Sequence, residues 1–135
     1  MILRGAIREH SPVIRARARA GVLHLGASGP LSFVIDTGFT GAFAVPEMVA
    51  RSLDLEFVGF DTFTLATGQE VELPVYLGSV RFGRRSAKTW FILGEGLIGM
   101  EFLEEACSDF LLDFEKQKVT LRLKERSRDR RSPVR

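Results

Sequence analysis

Asp36 is the side chain whose position in this sequence points most directly to chemistry. It closes the apolar run 33–35, which is typical of a buried strand, and Thr37 and Gly38 follow it at once. An ionised carboxylate at the end of a buried strand costs free energy unless another group shares its charge or its proton. Asp36 is therefore a candidate acid or base, and the elements around it must explain why the chain accepts that cost.

Other catalytic chemistries find little support in the residues. His10 and His24 have no cysteine or acid at ligand spacing, so no metal site is expected. The chain has no Gly-x-Ser-x-Gly elbow for a serine triad, and the glycines at 94–99 are not followed by the Lys-Ser/Thr of a phosphate loop. Cys107 is the only cysteine, and on a predicted helix it is interpreted as a small buried apolar residue. No cofactor is predicted.

Three further aspartates are interpreted as structural. Asp54 and Asp61 are flanked by polar or turn-like positions. Asp113 lies in an apolar run, but an acid that enters a hairpin more often faces an edge or caps a turn. None of the three is a predicted site residue.

Length and charge indicate one soluble domain with a basic tail. A chain of 135 residues with 45% hydrophobic and 27% charged residues is expected to fold around a single core. Residues 1–123 are assigned to the domain, and residues 124–135, with six Lys or Arg against two acids, to a basic tail. The sequence predicts neither a secretion signal nor a membrane segment, and the lone cysteine fits a cytoplasmic protein.

The first third of the chain is predicted to be strands. Alternation places Arg15, Arg17 and Arg19 on one face and alanines on the other, and a solvated face is favoured over a nucleic-acid surface. After the turn at 26–30, the run 31–36 is suited to a strand buried on both faces.

The remaining elements complete a mainly β fold. A short helix is predicted from Pro46, then a hairpin of runs 60–67 and 70–77 with its tip near Gly68. A separate strand from 79, a turn at Gly83 and Arg84 and a strand ending at Leu93 follow. The final elements are a helix over 100–107 and a closing hairpin of 110–114 with 118–123. Many short strands with one or two short helices favour a closed β-barrel.

Two short motifs carry a resemblance to a known family. Asp36-Thr37-Gly38 after apolar residues, joined to the hydrophobic-hydrophobic-Gly element at 97–99, resembles the retropepsin-like (clan AA) aspartic peptidases. The likeness covers about residues 20–123 and is strongest to the single-domain bacterial and archaeal branch with an Asp-Thr-Gly-Phe motif. It implies the acid protease fold, a retropepsin-like closed β-barrel.

The resemblance also implies a homodimeric endopeptidase. In this family two carboxylates share one proton, so that one takes a proton from water while the other donates to the scissile carbonyl. The chain offers one such aspartate, so Asp36 of an identical subunit would supply the second, with the site on a two-fold axis. Thr37 would lock the loop across that axis, and Gly38 would let backbone approach the acid.

A peptide or protein substrate is implied by the same likeness. The hairpin around 65–71 corresponds to a flap that would bind an extended peptide as an added strand. Phe39 stands where most members of the wider family have Ser or Ala, which favours as an alternative a non-catalytic dimerisation or peptide-binding module of the same fold. The predicted substrate-binding residues are Phe39, Thr67, Gly68, Gln69, Leu97 and Ile98.

Overall fold

The computed structural model describes residues 1–26 and 28–125, and over these the chain is mainly β with two short helices. Most of the predicted basic tail, residues 126–135, lies outside the described residues. The strands and helices are β1 (Ile2–Arg8), β2 (Ser11–Arg19), β3 (Val22–Leu25), β4 (Leu31–Ile35), β5 (Phe43–Val45), α1 (Glu47–Ala50), β6 (Glu56–Thr64), β7 (Glu70–Phe82), β8 (Arg85–Leu93), β9 (Leu97–Ile98), α2 (Met100–Ala106), β10 (Cys107–Asp113) and β11 (Lys118–Leu123). No helix in this described part is long and apolar enough to cross a membrane.

The strands form one hydrogen-bonded sheet whose pairing returns on itself. The order is β10, β11, β1, β2, β3, β7, β8, β5, β9, β4, with β6 on the outer side of β7. The last strand of this path, β4, also pairs with β2 in antiparallel register. The pairing therefore runs from β2 through β3, β7, β8, β5, β9 and β4 back to β2, and it leaves β6 and β10 with one neighbour each.

An aromatic core lies inside these strands. Phe43 of β5 is its centre: its ring stacks on Phe91 with centroids 5.3 Å apart, meets Phe33 edge-on at 6.3 Å and contacts Phe102 of α2 at 4.9 Å. Such rings bury large apolar areas and add a favourable ring-to-ring term. The core thereby fixes β4, β5 and α2. The segment after Asp36 begins at the end of β4, leads into β5 and is hydrogen-bonded to the start of α2.

The predicted alternation is confirmed within β2, but Ala20 lies in the turn after this strand and is exposed. Arg15, Arg17 and Arg19 are all exposed and Ala16 is fully buried. In β4, however, Phe33 is buried and Ser32 is exposed, so this strand is buried on one face rather than on both. The face with Ser32 is turned away from the core.

Two predicted strands are one strand in the structure. The run 70–77 and the strand predicted from 79 join as β7, which is 13 residues long. Gly78 lies inside this strand, paired with Thr89, and the space that a side chain would need there is taken by Leu55 and the ring of Phe91, 2.5 and 2.9 Å from an ideal Cβ. The sequence interpretation treated this glycine as a boundary, whereas it is a point of close packing.

The helices and the closing hairpin are close to prediction. Pro46 caps α1 in an extended conformation, so the helix begins at Glu47 and not at the proline. The predicted helix 100–107 ends at Ala106, and the closing hairpin is confirmed as β10 and β11. Asp113 caps the turn between them, because its Oδ1 accepts the N–H groups of Glu115 and Lys116.

One irregularity marks the edge strand β6. Its register against β7 shifts between Phe57 and Gly59, so Val58 is an extra residue that forms a β-bulge. Phe57 is in ring contact with Phe60 at 5.4 Å and with Tyr76 at 5.8 Å. Phe57 and Phe60 are exposed, and Tyr76 is partly exposed.

Candidate active site

Asp36 stands at the end of β4, held by main-chain hydrogen bonds on both sides. β4 and β9 run parallel, with Ile35 opposite Ile98, and the N–H of Asp36 donates to the carbonyl of Ile98 at 2.9 Å. The carboxylate Oδ1 accepts the N–H of Gly38 at 2.9 Å, and the carbonyl of Asp36 accepts the N–H of Phe39 at 3.0 Å. The side chain is partly exposed, and its hydrogen bond from the N–H of Gly38 within a tight turn sets its orientation.

The segment after Asp36, residues 36–42, is attached along its length to the start of α2. The carbonyls of Phe39 and Gly41 accept the N–H groups of Met100 and Glu101, and the carbonyl of Ala42 accepts that of Gly99. These bonds satisfy backbone donors that a helix leaves open at its first turn, where α2 has no side-chain cap. We call residues 36–42 the Asp36 loop.

Two glycines leave free the space that the ring of Phe39 occupies. An added Cβ on Gly99 would lie 2.6 Å from Cδ2 of Phe39 and 2.1 Å from the carbonyl oxygen of Gly41. A Cβ on Gly41 would lie 2.7 Å from Cζ of the same ring. The structure thus brings the Asp-Thr-Gly and Leu-Ile-Gly motifs into contact, and Phe39 packs into the junction between them.

The other predicted site residues of this region lie at different depths. Thr37 and Gly38 are exposed at the surface of the loop. Leu97 is partly exposed, whereas Ile98 is fully buried in the core. Ile98 therefore contributes to the site through the carbonyl that holds Asp36 and not through an accessible side chain.

The hairpin tip is confirmed as a tight turn but is not in contact with the Asp36 loop. The N–H of Gly68 donates to the carbonyl of Leu65, and that of Leu65 to Gln69, both at 2.8 Å. Thr67, Gly68 and Gln69 are exposed, and within the described residues no hydrogen bond or ring contact joins them to the loop. The hairpin contacts the Asp36 loop away from its tip, within β6.

Phe63 of β6 provides that contact. Its ring lies against Phe39, with centroids 6.4 Å apart and planes tilted by 35°. Phe39 therefore touches the junction of the two motifs on one side and the hairpin on the other.

Beside Phe39 there is a cavity of about 330 Å³. It lies between the Asp36 loop, the inner face of the hairpin and the start of α2, and Asp36 itself does not line it. Its walls are mostly aromatic and aliphatic, with two carboxylates among them. The lining residues are Phe39, Thr40, Gly41, Ala42, Phe43, Val58, Gly59, Phe60, Asp61, Thr62, Phe63, Val75, Trp90, Ile92 and Glu101.

Sequence reasoning gave a site role to Phe39 alone among the residues that line this cavity, and it missed Asp61, Trp90 and Glu101 in particular. Asp61 was interpreted as structural, and Trp90 and Glu101 were assigned to a strand and a helix without a site. Alternation along β6 does place Asp61 and Phe63 on one face, which is a readable signal. The approach of Trp90 and Glu101 to that face depends on the tertiary fold.

The electrostatics of the cavity centre on Glu101. The pKa of Glu101 is raised above its usual value of 4.5, first by burial and then by the negative charges of Glu105 and Asp61. Each of these causes disfavours the ionised carboxylate. A positive charge placed in the cavity would act in the opposite direction.

The interpretation of Cys107 as a buried apolar residue is supported. Its side chain is buried, and burial raises the pKa of the thiol to about 11, against the opposing effects of Arg85 and Lys124. A thiol with so high a pKa is not a ready nucleophile near neutral pH. Within residues 1–26 and 28–125 no group of three or more His, Cys, Asp or Glu side chains is arranged to hold a metal ion.

Comparisons with protein-family models, with curated proteins and with solved structures gave no match for this chain.

Proposed function

We propose that this protein is an aspartic endopeptidase that acts as a homodimer, with Asp36 of each subunit in one active site. The observation that carries the proposal is the junction of the two motifs, in which Asp36 is hydrogen-bonded to Ile98 and its loop to Gly99 and α2. A loop attached in this way holds a carboxylate in a fixed, partly exposed position. Fixed geometry of that kind is what a shared-proton pair requires.

The proposed reaction follows from two carboxyl groups that hold one proton. The ionised Asp36 takes a proton from water as the water oxygen bonds to the scissile carbonyl carbon, and the protonated Asp36 of the partner subunit donates to the carbonyl oxygen. In the second step the carbon–nitrogen bond breaks, the hydroxyl proton returns to one carboxylate, and the other carboxyl group protonates the leaving amine. The N–H of Gly38, bonded to Oδ1, orients the carboxylate throughout.

The proposed fold is the retropepsin-like closed barrel. Its support is the return of strand pairing from β4 to β2, which leaves no open edge along that path. The mainly β character and the two short helices agree with it. In this fold the hairpin of β6 and β7 would be the flap, and an extended peptide would lie beneath it.

Phe39 gives a specific reason to keep a second candidate, a non-catalytic dimerisation or peptide-binding module. A hydroxyl at this position would be able to donate to the carboxylate of Asp36, and a phenyl ring cannot. The ring is instead packed against Gly41, Gly99 and Phe63. This arrangement stabilises the loop, and it serves a peptide-binding module as well as an enzyme.

The test compares Asp36→Asn with Asp109→Asn, a control at an exposed surface ion pair with Arg122. An unbiased peptide library is incubated with each protein at mildly acidic pH, with and without a statine-type transition-state mimic. We expect cleavage by wild type and by the control, suppression by the mimic, and a loss of at least about a thousandfold in Asp36→Asn. Sedimentation should show a dimer for all three proteins.

Each other outcome has a defined meaning. Cleavage by Asp36→Asn at the wild-type rate rejects the mechanism. A dimeric wild type that binds peptides but cuts none supports the binding module. A wild-type protein that is monomeric at every concentration rejects both candidates, because each depends on a two-fold site.

A further inference from the structure

The cavity beside Phe39 combines apolar walls with an excess of negative charge. About 330 Å³ is at the lower end of the range for ligand sites, and is enough for one long side chain. Asp61 and Glu101 lie on it from two different elements, β6 and α2. Among residues 1–26 and 28–125, no lysine, arginine or histidine lines the cavity.

The walls suit the stem of a cationic side chain. Phe39, Phe63 and Trp90 present aromatic surface, and Val75 and Ile92 present aliphatic surface. Lysine and arginine pack their methylene stems on such surface and keep the charged head near polar groups. A cation over an aromatic face gains a further attraction, which is largest for tryptophan.

The two carboxylates are able to receive the charged head. One oxygen of Asp61 is already bonded to the N–H of Thr62 at 2.8 Å, which fixes the direction of that side chain. Glu101 is partly buried, and its neighbours Asp61 and Glu105 repel it. A guanidinium group offers donors to two carboxylates at once.

We propose that this cavity binds an arginine or lysine side chain of an extended peptide, with Asp61 and Glu101 as the residues that select the charge. The inference deepens the proposed function, on which it rests: Phe39 forms a wall of the cavity and is three residues from Asp36, so one peptide would reach both. The site would then make the enzyme selective for substrates with a basic residue at one fixed position.

Trp90 allows binding to be measured without cleavage. It is the only tryptophan of the chain, it lines the cavity and it is 42% exposed, so its fluorescence reports occupation of the site. The probes are acetylated, amidated pentapeptides with a central arginine or a central citrulline and alanine elsewhere. Citrulline has nearly the shape of arginine but no charge. The titrations use the Asp36→Asn protein, so that no peptide is consumed.

We expect the arginine peptide to bind about tenfold more tightly than the citrulline peptide, as one charge-assisted contact would give. Asp61→Asn and Glu101→Gln should each reduce this ratio, and the double variant should bring it close to one. The matched controls are Glu72→Gln, on the opposite face of the hairpin, and Glu104→Gln, an exposed position on α2. Both should keep the wild-type ratio.

The proposal is overturned if the two peptides bind equally, if Trp90 does not respond to millimolar arginine peptide, or if the double variant keeps the preference. The peptide comparison in the unchanged cavity decides the matter even if a variant fails to fold. Failure of the proposed function is distinct: a protein that prefers the arginine peptide but cuts no substrate keeps this site and loses the catalytic proposal. A protein that cuts peptides without preference for a basic residue keeps the catalytic proposal and loses this site.

Discussion

The Asp36 loop and the hairpin of β6 and β7 meet at the ring contact between Phe39 and Phe63 but are built in opposite ways. The loop gives its backbone groups to β9 and α2, and it packs around the ring of Phe39. In the hairpin, β6 is hydrogen-bonded as a strand only to β7 within the described residues, and nearly every residue of β6 is exposed. Local opening should therefore cost less free energy in the hairpin than in the loop. The proposed chemistry belongs to the loop, and the proposed covering role belongs to the hairpin, which has fewer attachments.

Gly99→Ala should disrupt the Asp36 loop and have the largest effect. Its Cβ would come within 3.0 Å of two backbone oxygens and of the Phe39 ring, and backbone atoms at a junction of two motifs cannot easily move. We expect a loss of about 3 kcal/mol in the free energy of unfolding. Gly94→Ala is the control, because the nearest atom to its Cβ would be 3.7 Å away. Denaturant unfolding of both variants measures the difference, and equal stabilities would show that the junction is adaptable.

Phe39→Ala should separate the two regions. Removing a partly buried ring that contacts the loop junction should cost about 2 kcal/mol, less than a fully buried phenylalanine. A double-mutant cycle with Phe63→Ala isolates the ring contact between loop and hairpin, for which we expect about 0.5 kcal/mol. Phe114→Ala is the control, since that ring is 70% exposed. Strict additivity of Phe39→Ala and Phe63→Ala would mean that loop and hairpin are not coupled.

Gly68→Ala should affect the hairpin alone. Gly68 has a φ of +89°, which costs an alanine about 1 kcal/mol, although an added Cβ would meet no atom within 4 Å. Hydrogen exchange should become faster in the hairpin and stay unchanged in the Asp36 loop. Faster exchange in the Asp36 loop as well would mean that the hairpin tip is coupled to the loop more strongly than the single ring contact of Phe39 with Phe63 implies.

Glu101→Gln should have the smallest effect, and one that depends on pH. Because the folded protein raises the pKa of Glu101 above 4.5, the folded state binds more protons than the unfolded state between pH 4.5 and that higher value. Stability is therefore lost as pH rises through this window, and the loss persists at neutral pH. The glutamine variant should be slightly more stable than wild type at pH 7, by less than about 1 kcal/mol because the group is partly exposed, and equal to it near pH 4.

Thermal melts of wild type, Glu101→Gln and Glu104→Gln at both pH values provide the measurement. Glu104 is exposed on the same helix, so its variant should follow wild type. A glutamine variant that is less stable at pH 7 would show that Glu101 forms a favourable contact instead of a strained one. A gain in stability of Glu101→Gln at pH 7 would mean that the protein keeps Glu101, a proposed cation-binding residue, at a small cost in stability.

Local chemistry predicted much of this fold from the sequence. The arginine and alanine alternation, the turn at Gly68, the helix after Gly99 and the turn cap at Asp113 depend on neighbouring residues, and the structure bears each of them out. The contact between the two motifs was not predicted, since periodicity does not say that β4 and β9 pair.

What was missed depends on distant parts of the chain. The run 70–77 and the strand from 79 were predicted as separate, because the packing of Leu55 and Phe91 against Gly78 is unknown until the strands pair. Likewise Asp61 was interpreted as a structural acid because Glu101, forty positions further along, meets it only in the folded cavity. Turn and cap signals are local, whereas close packing and cavities belong to the tertiary fold.

The bulge at Val58 has a consequence for the behaviour of the protein at high concentration. A long strand at the edge of a sheet, with exposed aromatic side chains such as Phe57 and Phe60, is a template for stacking further chains into fibrils. One extra residue bends and twists that edge, so that a straight incoming strand cannot match its hydrogen bonds. The bulge at Val58 therefore opposes aggregation although Phe57 and Phe60 remain exposed on this strand.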